Sequence, residues 1–551
     1  MKTEKRDRLV ITLTAALFFI PYLGGVHLFD WDEINFAECA REMLLSGKYL
    51  QVQIGFQPFW EKPPFFFWMQ ALSMKAFGID EFAARLPNAL IGIASLLLIY
   101  QAGLQLKDRL FARLWVLAWF GSLLPHFYFR SGIIDPWFNF WIFWALWSFF
   151  QAQNKNHGGR GKSLLGGLLL GLAVLTKGPV ALLIAFLTLI VYLLYGKNKR
   201  RRLSANKLLL FASATLLTSI IWFAVDMALN GSWLTTEFIK YQYRLFSTPD
   251  AGHAGFPGYH LVVLLWGCFP ASVFALSAFA KQREIEGTDL GDFRKWMLAL
   301  FWVVLILFSL VKSKIVHYSS LAYYPLTFLA ALSLYNFWKN GLQLPKWQTG
   351  ILAFLAFSTS AAALALPWIG LHMSWFLEHF PPADPFALES MRASVSWGST
   401  DYLPGLLLLF CSITSIFLAR RARWKAVLPL LFGGTALFVQ TTLYLFIGKI
   451  ETYSQRAAVE FCESKAGQEV YISPLYYKTY VHWFYGRIPK DWPEEAKNTS
   501  WLLKGAIDRD AFFLVKANHW QLVQKEHPQL ELLYKKNGFA FFKRATAQAG
   551  Q

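Results

Sequence analysis

Charge is scarce in this chain. Asp, Glu, Lys and Arg make up only 16% of its 551 residues, against about 25% in an ordinary soluble domain. Cysteine is scarcer still. The four residues Cys39, Cys268, Cys411 and Cys462 exclude a disulfide scaffold and show no metal-ligand spacing. CxxC, HExxH and Walker-type segments are absent, and so is any tandem repeat. Acid is short relative to base: Asp+Glu number 34 and Lys+Arg 53, a formal charge of +19. What is abundant is apolar and aromatic. The chain is 55% hydrophobic, with 51 Phe, 24 Trp and 22 Tyr. That composition excludes disorder and a coiled coil, and it argues against a purely soluble enzyme.

Apolar runs recur to about residue 447. The first, 9–29, follows a basic start, is about 20 residues long and lacks a small-x-small cleavage site, so it reads as an uncleaved span rather than a signal peptide. Others lie near 83–106, 110–129, 137–152, 163–176, 178–195, 208–229, 259–279, 296–311, 320–338, 347–370, 402–419 and 426–447. The expected fold is therefore mainly α and polytopic, with about 13 transmembrane helices. With the N-terminus inside, every basic cluster falls on the cytoplasmic side. The positive charge is thus mostly topology, and nucleic acid is not an expected partner. The same parity places 30–82, 130–136, 230–258, 371–401 and the tail outside. Residues 1–447 form the expected membrane domain. Residues 448–551 lose the long apolar runs and read as a small α/β domain: helix 454–463, strands 469–472 and 511–515, helix 520–527, strands 530–534 and 540–543.

The first outer loop carries the densest chemistry. Asp30, Asp32 and Glu33 stand at the exit of the first span, beside Trp31. Residues 35–45 suit an amphipathic helix, with Phe36, Ala40, Met43 and Leu44 on one face, lying in the interface plane. Asp32 serves either as the helix N-cap or as a catalytic acid. Further on, Trp60-Glu61-Lys62-Pro63-Pro64 presents Lys62 on a proline-stiffened backbone among aromatics, suited to a lipid phosphate or to an aromatic membrane belt. Asp135, Lys177, Arg244, Lys314 and Tyr318 also map to outer span ends. Positive-inside sorting depletes cations there, so those retained call for an anionic partner, and a phosphate at headgroup depth is the natural one. Glu61 and His253 are an optional divalent-metal pair. No metal is expected to be essential. Cys39 and Cys462, both outside, are an optional disulfide pair. The loop around His253 reads as a hinge or a connector.

Asp32-Glu33, Ala37-Glu38, Arg41-Glu42-Met43, Trp60-Glu61-Lys62-Pro63-Pro64, Trp68, Phe77-Gly78 and Arg85-Leu86-Pro87 together resemble the bacterial aminoarabinose–lipid A transferase family. That family is related to protein O-mannosyltransferases and shares the C-type membrane glycosyltransferase fold. The resemblance is strongest over 30–90 and continues at Asp135, Thr176-Lys177-Gly178-Pro179, Arg244, and Lys314 to Tyr318. It implies a polyprenyl-phosphate-linked sugar as donor and lipid A or another periplasmic acceptor, at the bacterial inner membrane. It implies Asp32 as key acid with Glu33, Asp135 as second acid, and Trp60, Lys62, Lys177, Arg244, Lys314 and Tyr318 on the donor. One departure stands out. The family carries Arg-Tyr where Asn35-Phe36 stands here, which bears on the sugar and the acceptor. The rival readings are the same fold serving a protein or glycan hydroxyl, a lipid-linked sugar flippase, and a membrane sensor. A flippase is expected to hold ionisable groups near the midplane and to show repeated halves.

Overall fold

A computed structural model describes residues 2–154, 159–194, 203–247, 255–280 and 283–546. It is mainly helical. Six described helices are long and apolar enough to cross a membrane: Glu81–Leu106, Ala205–Asn230, Asp289–Leu310, Lys346–Leu371, Ser399–Ala419 and Trp424–Thr452. Counting each of two bent pairs as one span makes eight. The chain is a multi-pass membrane protein. Helix starts follow capping chemistry: the side chains of Asp80, Asp108 and Thr288 each accept from a backbone N–H two or three residues into the helix.

Three expectations change here. The first helix is Lys2–Phe19 rather than 9–29. Its basic start is helical because buried Asp7 pairs with Arg109 and Arg113, and the chain then turns at Pro21 and Gly24-Gly25. The stretches 110–129 and 259–279 are not straight. Arg109–Phe120 and Leu123–Arg130 meet at 82°, and Tyr259–Gly267 and Ala271–Phe279 at 117°. The two breaks face each other. Leu123 N–H donates to the Phe269 carbonyl at 3.1 Å, and Ser122 Oγ to the Cys268 carbonyl at 3.3 Å. Backbone groups freed by each bend are thus satisfied by the other, as a low-dielectric interior demands.

Small residues set one helix position that matters for the site. Gly166, Gly167 and Gly171 of Arg160–Lys177 face Ala205–Asn230 so closely that a Cβ at 167 would lie 2.3 Å from the Phe211 carbonyl oxygen. This close approach fixes where the helix delivers its last residue, Lys177.

The helix Asp32–Ser46 presents no exposed polar face over most of its length. It is buried on every side from Glu33 to Met43. One apolar core holds Ile34, Phe36 and Met43 together with Phe66 and Phe67 of Phe65–Phe77, and with Val459, Ile472, Phe512 and Phe541 of the tail. The expected polar face is buried as a network. Arg41 bridges Glu38 at 2.7 Å and the Ile488 carbonyl at 2.9 Å, while Glu42 accepts from Phe56 N–H at 2.7 Å. Polar latches reinforce this junction. His27 meets Glu451, Leu28 N–H donates to Tyr485 Oη at 2.6 Å, and Asp30 N–H donates to Gln455 Oε1 at 2.9 Å.

The last apolar helix continues to Thr452, beyond the expected boundary at 447. The tail forms a four-stranded sheet of β3 (Tyr471–Leu475), β4 (Ala511–Lys516), β5 (Glu531–Lys536) and β6 (Phe539–Arg544), in the order β3-β4-β6-β5; a two-residue hairpin, β1 (Gln53–Ile54) and β2 (Gln57–Pro58), lies in the first loop. β3 and β4 are parallel and the other pairs antiparallel. Asn537 and Gly538, with φ of 46° and 82°, supply the left-handed turn between β5 and β6. All four cysteines are free and buried, so Cys39 and Cys462 form no disulfide.

Candidate active site

A cavity of about 650 Å³ opens where the loop after the first helix, several helix ends and the tail meet. Asp30, Asp32, Glu61, Lys62, Asp135, Lys177, Tyr241, His317, Tyr318, Lys478 and Lys516 line it, and Val180, Leu307, Phe308, Val311 and Ile315 add apolar lining.

Its centre is a chain of charged groups. Asp135 begins the helix Asp135–Ala152, with Pro136 in the first turn, and Lys177 ends Arg160–Lys177. A carboxylate suits a helix N-terminus and a cation a C-terminus. Packing brings these two termini together, and Lys177 Nζ bonds Asp135 Oδ1 at 2.6 Å. His317 sits on the 3₁₀ turn Val316–Ala322. Its Nε2 lies 3.6 Å from Asp32 Oδ2 and 3.7 Å from Asp135 Oδ2, between the two acids. Burial, together with the Lys177 and Lys62 charges, lowers the imidazole pKa below 6.5 against the raising effect of Asp135 and Asp32. Lys177 also lies over the Tyr318 ring at 5.0 Å. Lys62 Nζ is 3.4 Å from Tyr241 Oη and 4.9 Å from its ring centre.

The remaining expected residues are placed differently. Glu33 touches the cavity, but its carboxylate is engaged elsewhere. It takes two hydrogen bonds from buried Arg85, at 2.8 and 3.0 Å, and others from Phe29 and Gly132 N–H. Burial would raise its carboxyl; the Arg85 charge and these bonds outweigh it and hold the group below its ordinary range. Arg85 in turn donates to the carbonyls of Leu23, Val26 and His27. Glu33 is thus a brace for the loop. Asp32, its neighbour, makes no capping bond with its own helix and faces the cavity. Trp60 lies outside the cavity wall, edge-on to Trp233 at 5.6 Å. Arg244 stacks on the Tyr241 ring at 5.1 Å, one residue removed from the wall. Lys314 turns back to the carbonyls of Phe308, Ser309 and Val311, terminating the helix Asp289–Leu310. Glu61 lines the cavity, while His253 lies outside the described residues. Among the described residues no group of three His, Cys, Asp or Glu is arranged to hold a metal ion.

Asp30, Tyr241, His317, Lys478 and Lys516 complete the wall without having stood out as site residues in the sequence. Asp30 was visible as the third acid and His317 as the neighbour of Tyr318. Lys478 and Lys516 carry no local signal, because only the fold of the tail brings them here. Burial raises the Asp30 carboxyl, with Asp32 adding to it, against hydrogen bonds from Thr479 and Tyr480 and the charge of Lys516.

The fold is shared with solved polytopic membrane proteins. Crystal structures of ArnT from Cupriavidus metallidurans superpose with TM-scores of 0.78 (bound to undecaprenyl phosphate; 98% of this chain and 99% of that one) and 0.77 (apo; 100% of both), each at 18% identity. Among sequences, the undecaprenyl phosphate-alpha-4-amino-4-deoxy-L-arabinose arabinosyl transferase of Erwinia tasmaniensis is 27% identical over 59% of each chain. Those of Pectobacterium carotovorum (27%; 71% of this chain, 72% of that one) and Pseudomonas aeruginosa PAO1 (28%; 65% and 64%) are similar too. The match thus spans about three-fifths of the length of the Erwinia enzyme. Residues 61–224 match the dolichyl-phosphate-mannose-protein mannosyltransferase family.

Proposed function

We propose that this chain is an inverting glycosyltransferase that moves a sugar, aminoarabinose by nearest resemblance, from a polyprenyl-phosphate donor to a lipid A-type acceptor. The carrying observation is the Lys177–Asp135–His317–Asp32 array in a cavity lined by both cations and apolar residues. A donor of this class needs both, a cationic seat for its phosphate and an apolar exit for its chain. Supporting it, the fold is shared with an ArnT whose structure holds undecaprenyl phosphate. The outward orientation rests on the basic clusters. Thirteen spans, counting the shorter helices and each bent pair once, put the N-terminus inside and the cavity and tail in the periplasm, with the bacterial inner membrane as the location.

In this reading Lys62 and Lys177 hold the donor phosphate, and Arg244 reaches it past Tyr241. The acceptor oxygen bonds to the anomeric carbon as the carbon–oxygen bond to the phosphate breaks. The bonding electrons leave with the polyprenyl phosphate, and the cations stabilise the charge that develops there. The sugar carbon is oxocarbenium-like in between. Asp32 takes the proton of a hydroxyl acceptor as general base; for an anionic phosphate acceptor it orients the nucleophile. Asp135 keeps Lys177 in place, and Tyr318 frames the sugar.

A second reading keeps the donor class and moves the sugar to a protein or glycan hydroxyl. Asn35 and Phe36 favour it: both touch the cavity, yet Asn35 bonds Cys39 and Phe36 packs on Phe66 and Phe67, so neither offers charge.

The test is transfer by purified Asp32→Asn with donor binding measured alongside, and mass spectrometry of lipid A and surface glycans from cells with and without the protein. Abolished transfer with donor binding within a few fold supports the reading. Near-normal turnover by the variant refutes it.

A further inference from the structure

Lys478 and Lys516 project into the cavity from the tail, the side opposite in sequence to the donor cations. Lys478 follows β3 and Lys516 ends β4, so adjacent parallel strands deliver both. Each ammonium is held by aromatic faces. Lys478 lies 4.9 Å from the Trp31 ring centre and 5.4 Å from that of Tyr480; Lys516 lies 4.6 Å from Phe386 and 5.1 Å from Tyr477. Among the described residues neither makes an ion pair with a carboxylate within 4.0 Å. By contrast Lys177 bonds Asp135 and Lys536, on the outer sheet edge, bonds Glu460.

Rings restrain an ammonium without neutralising it. Asp30 lines the same cavity and feels the Lys516 charge, yet burial raises its carboxyl, so the two restrained lysines leave this wall positive. They gain most from an oxyanion brought into the cavity, through charge-assisted hydrogen bonds. Trp31 ties this pair to the chemistry, because it is adjacent to Asp32 in the chain and carries Lys478 on its ring.

We infer that Lys478 and Lys516 form a second anion site, separate from the donor-phosphate seat at Lys62 and Lys177, for an oxyanion carried by the reacting molecules. Two sources share this chemistry: a phosphate on the acceptor, or a carboxylate on the transferred sugar. The inference rests on the proposed transferase reading and narrows its substrates. The tail is then a substrate-reading wall as well as a support for the loop.

The test is equilibrium binding to the full-length protein in phosphatidylcholine nanodiscs. The probes are undecaprenyl phosphate, phosphorylated against dephosphorylated lipid A, and undecaprenyl-phosphate hexuronate against the corresponding hexose. Wild type is expected to prefer the anionic member of one pair by about tenfold, the worth of a charge-assisted hydrogen bond. The pair that discriminates names the source. The double variant Lys478→Gln/Lys516→Gln loses that preference, Lys478→Arg/Lys516→Arg keeps it, and both bind undecaprenyl phosphate as wild type does. Discrimination in neither pair overturns the site. So does a glutamine variant that loses undecaprenyl phosphate as much as the probes, since the lysines would then belong to the donor seat. A wild type that binds no undecaprenyl phosphate strikes instead at the transferase reading beneath it.

Discussion

Lys177, the last residue of its helix, bonds Asp135, the first residue of the neighbouring helix, at 2.6 Å, with Asp135 buried and the Lys177 side chain 15% exposed. The pair joins two helix termini of opposite partial charge at the cavity wall. Removing one partner leaves a buried charge uncompensated, which costs about 3–5 kcal/mol. Asp135→Asn and Lys177→Gln are each expected to lower the Tm of the purified protein. The double variant recovers part of that loss, as a double-mutant cycle in thermal unfolding will show.

Arg85 spends its guanidinium on Glu33 and three carbonyls of the first loop. A lysine supplies a point charge without that fork. Arg85→Lys and Glu33→Gln are expected to destabilise the protein by about 3 kcal/mol. The fraction that stays folded keeps its affinity for undecaprenyl phosphate. A loss of affinity without a loss of Tm would instead make Glu33 a site residue.

Burial and the neighbouring Glu38 charge push the Glu42 carboxyl up from 4.5 to about 9. A carboxyl raised on folding contributes stability that is complete below its unfolded pKa and is lost as pH rises through the folded one. Wild-type Tm is therefore expected to fall from pH 6 to pH 9. Glu42→Gln, which carries no titrating group there, shows a flatter profile over the same range.

His317 stands between Asp32 and Asp135 with its pKa held below 6.5 by burial, so its ring is neutral at pH 7. Protonating it places a cation between the acids and beside Lys177 and Lys62. Transfer is expected to decline only below pH 6.5, and His317→Gln is expected to lower kcat about 100-fold and to remove that acid limb. An unaltered acid limb in the variant would assign it to Asp32 or another group.

How much of this was legible in the sequence depended on the range of the interaction. Apolar runs located the helices, because burial in lipid or protein leaves a local trace. The tail strands at 511–515 and 540–543 were legible for the same reason. The bends near Gly121 and Pro270 were not, since each is satisfied by backbone about 145 residues away. Asp32 and Glu33 looked equivalent in the chain. On a helix, adjacent residues point about 100° apart, and the one turned toward Arg85 became a brace. Lys314 resembled Lys177 as an outer cation, yet its ammonium closes a helix end. Lys478 and Lys516 were illegible because their relation to the site exists only after the sheet forms.

The latches at His27, Leu28 and Asp30 also impose an order in time. Their partners are synthesised 424 to 457 residues after them. At about 5–20 residues per second, the first outer loop waits about 20–90 s for the groups that fasten it. During that interval Asp32 has neither its second wall nor its final bearing. A nascent chain stalled before residue 455 therefore carries the acids of the first loop without two of the latches that fasten it.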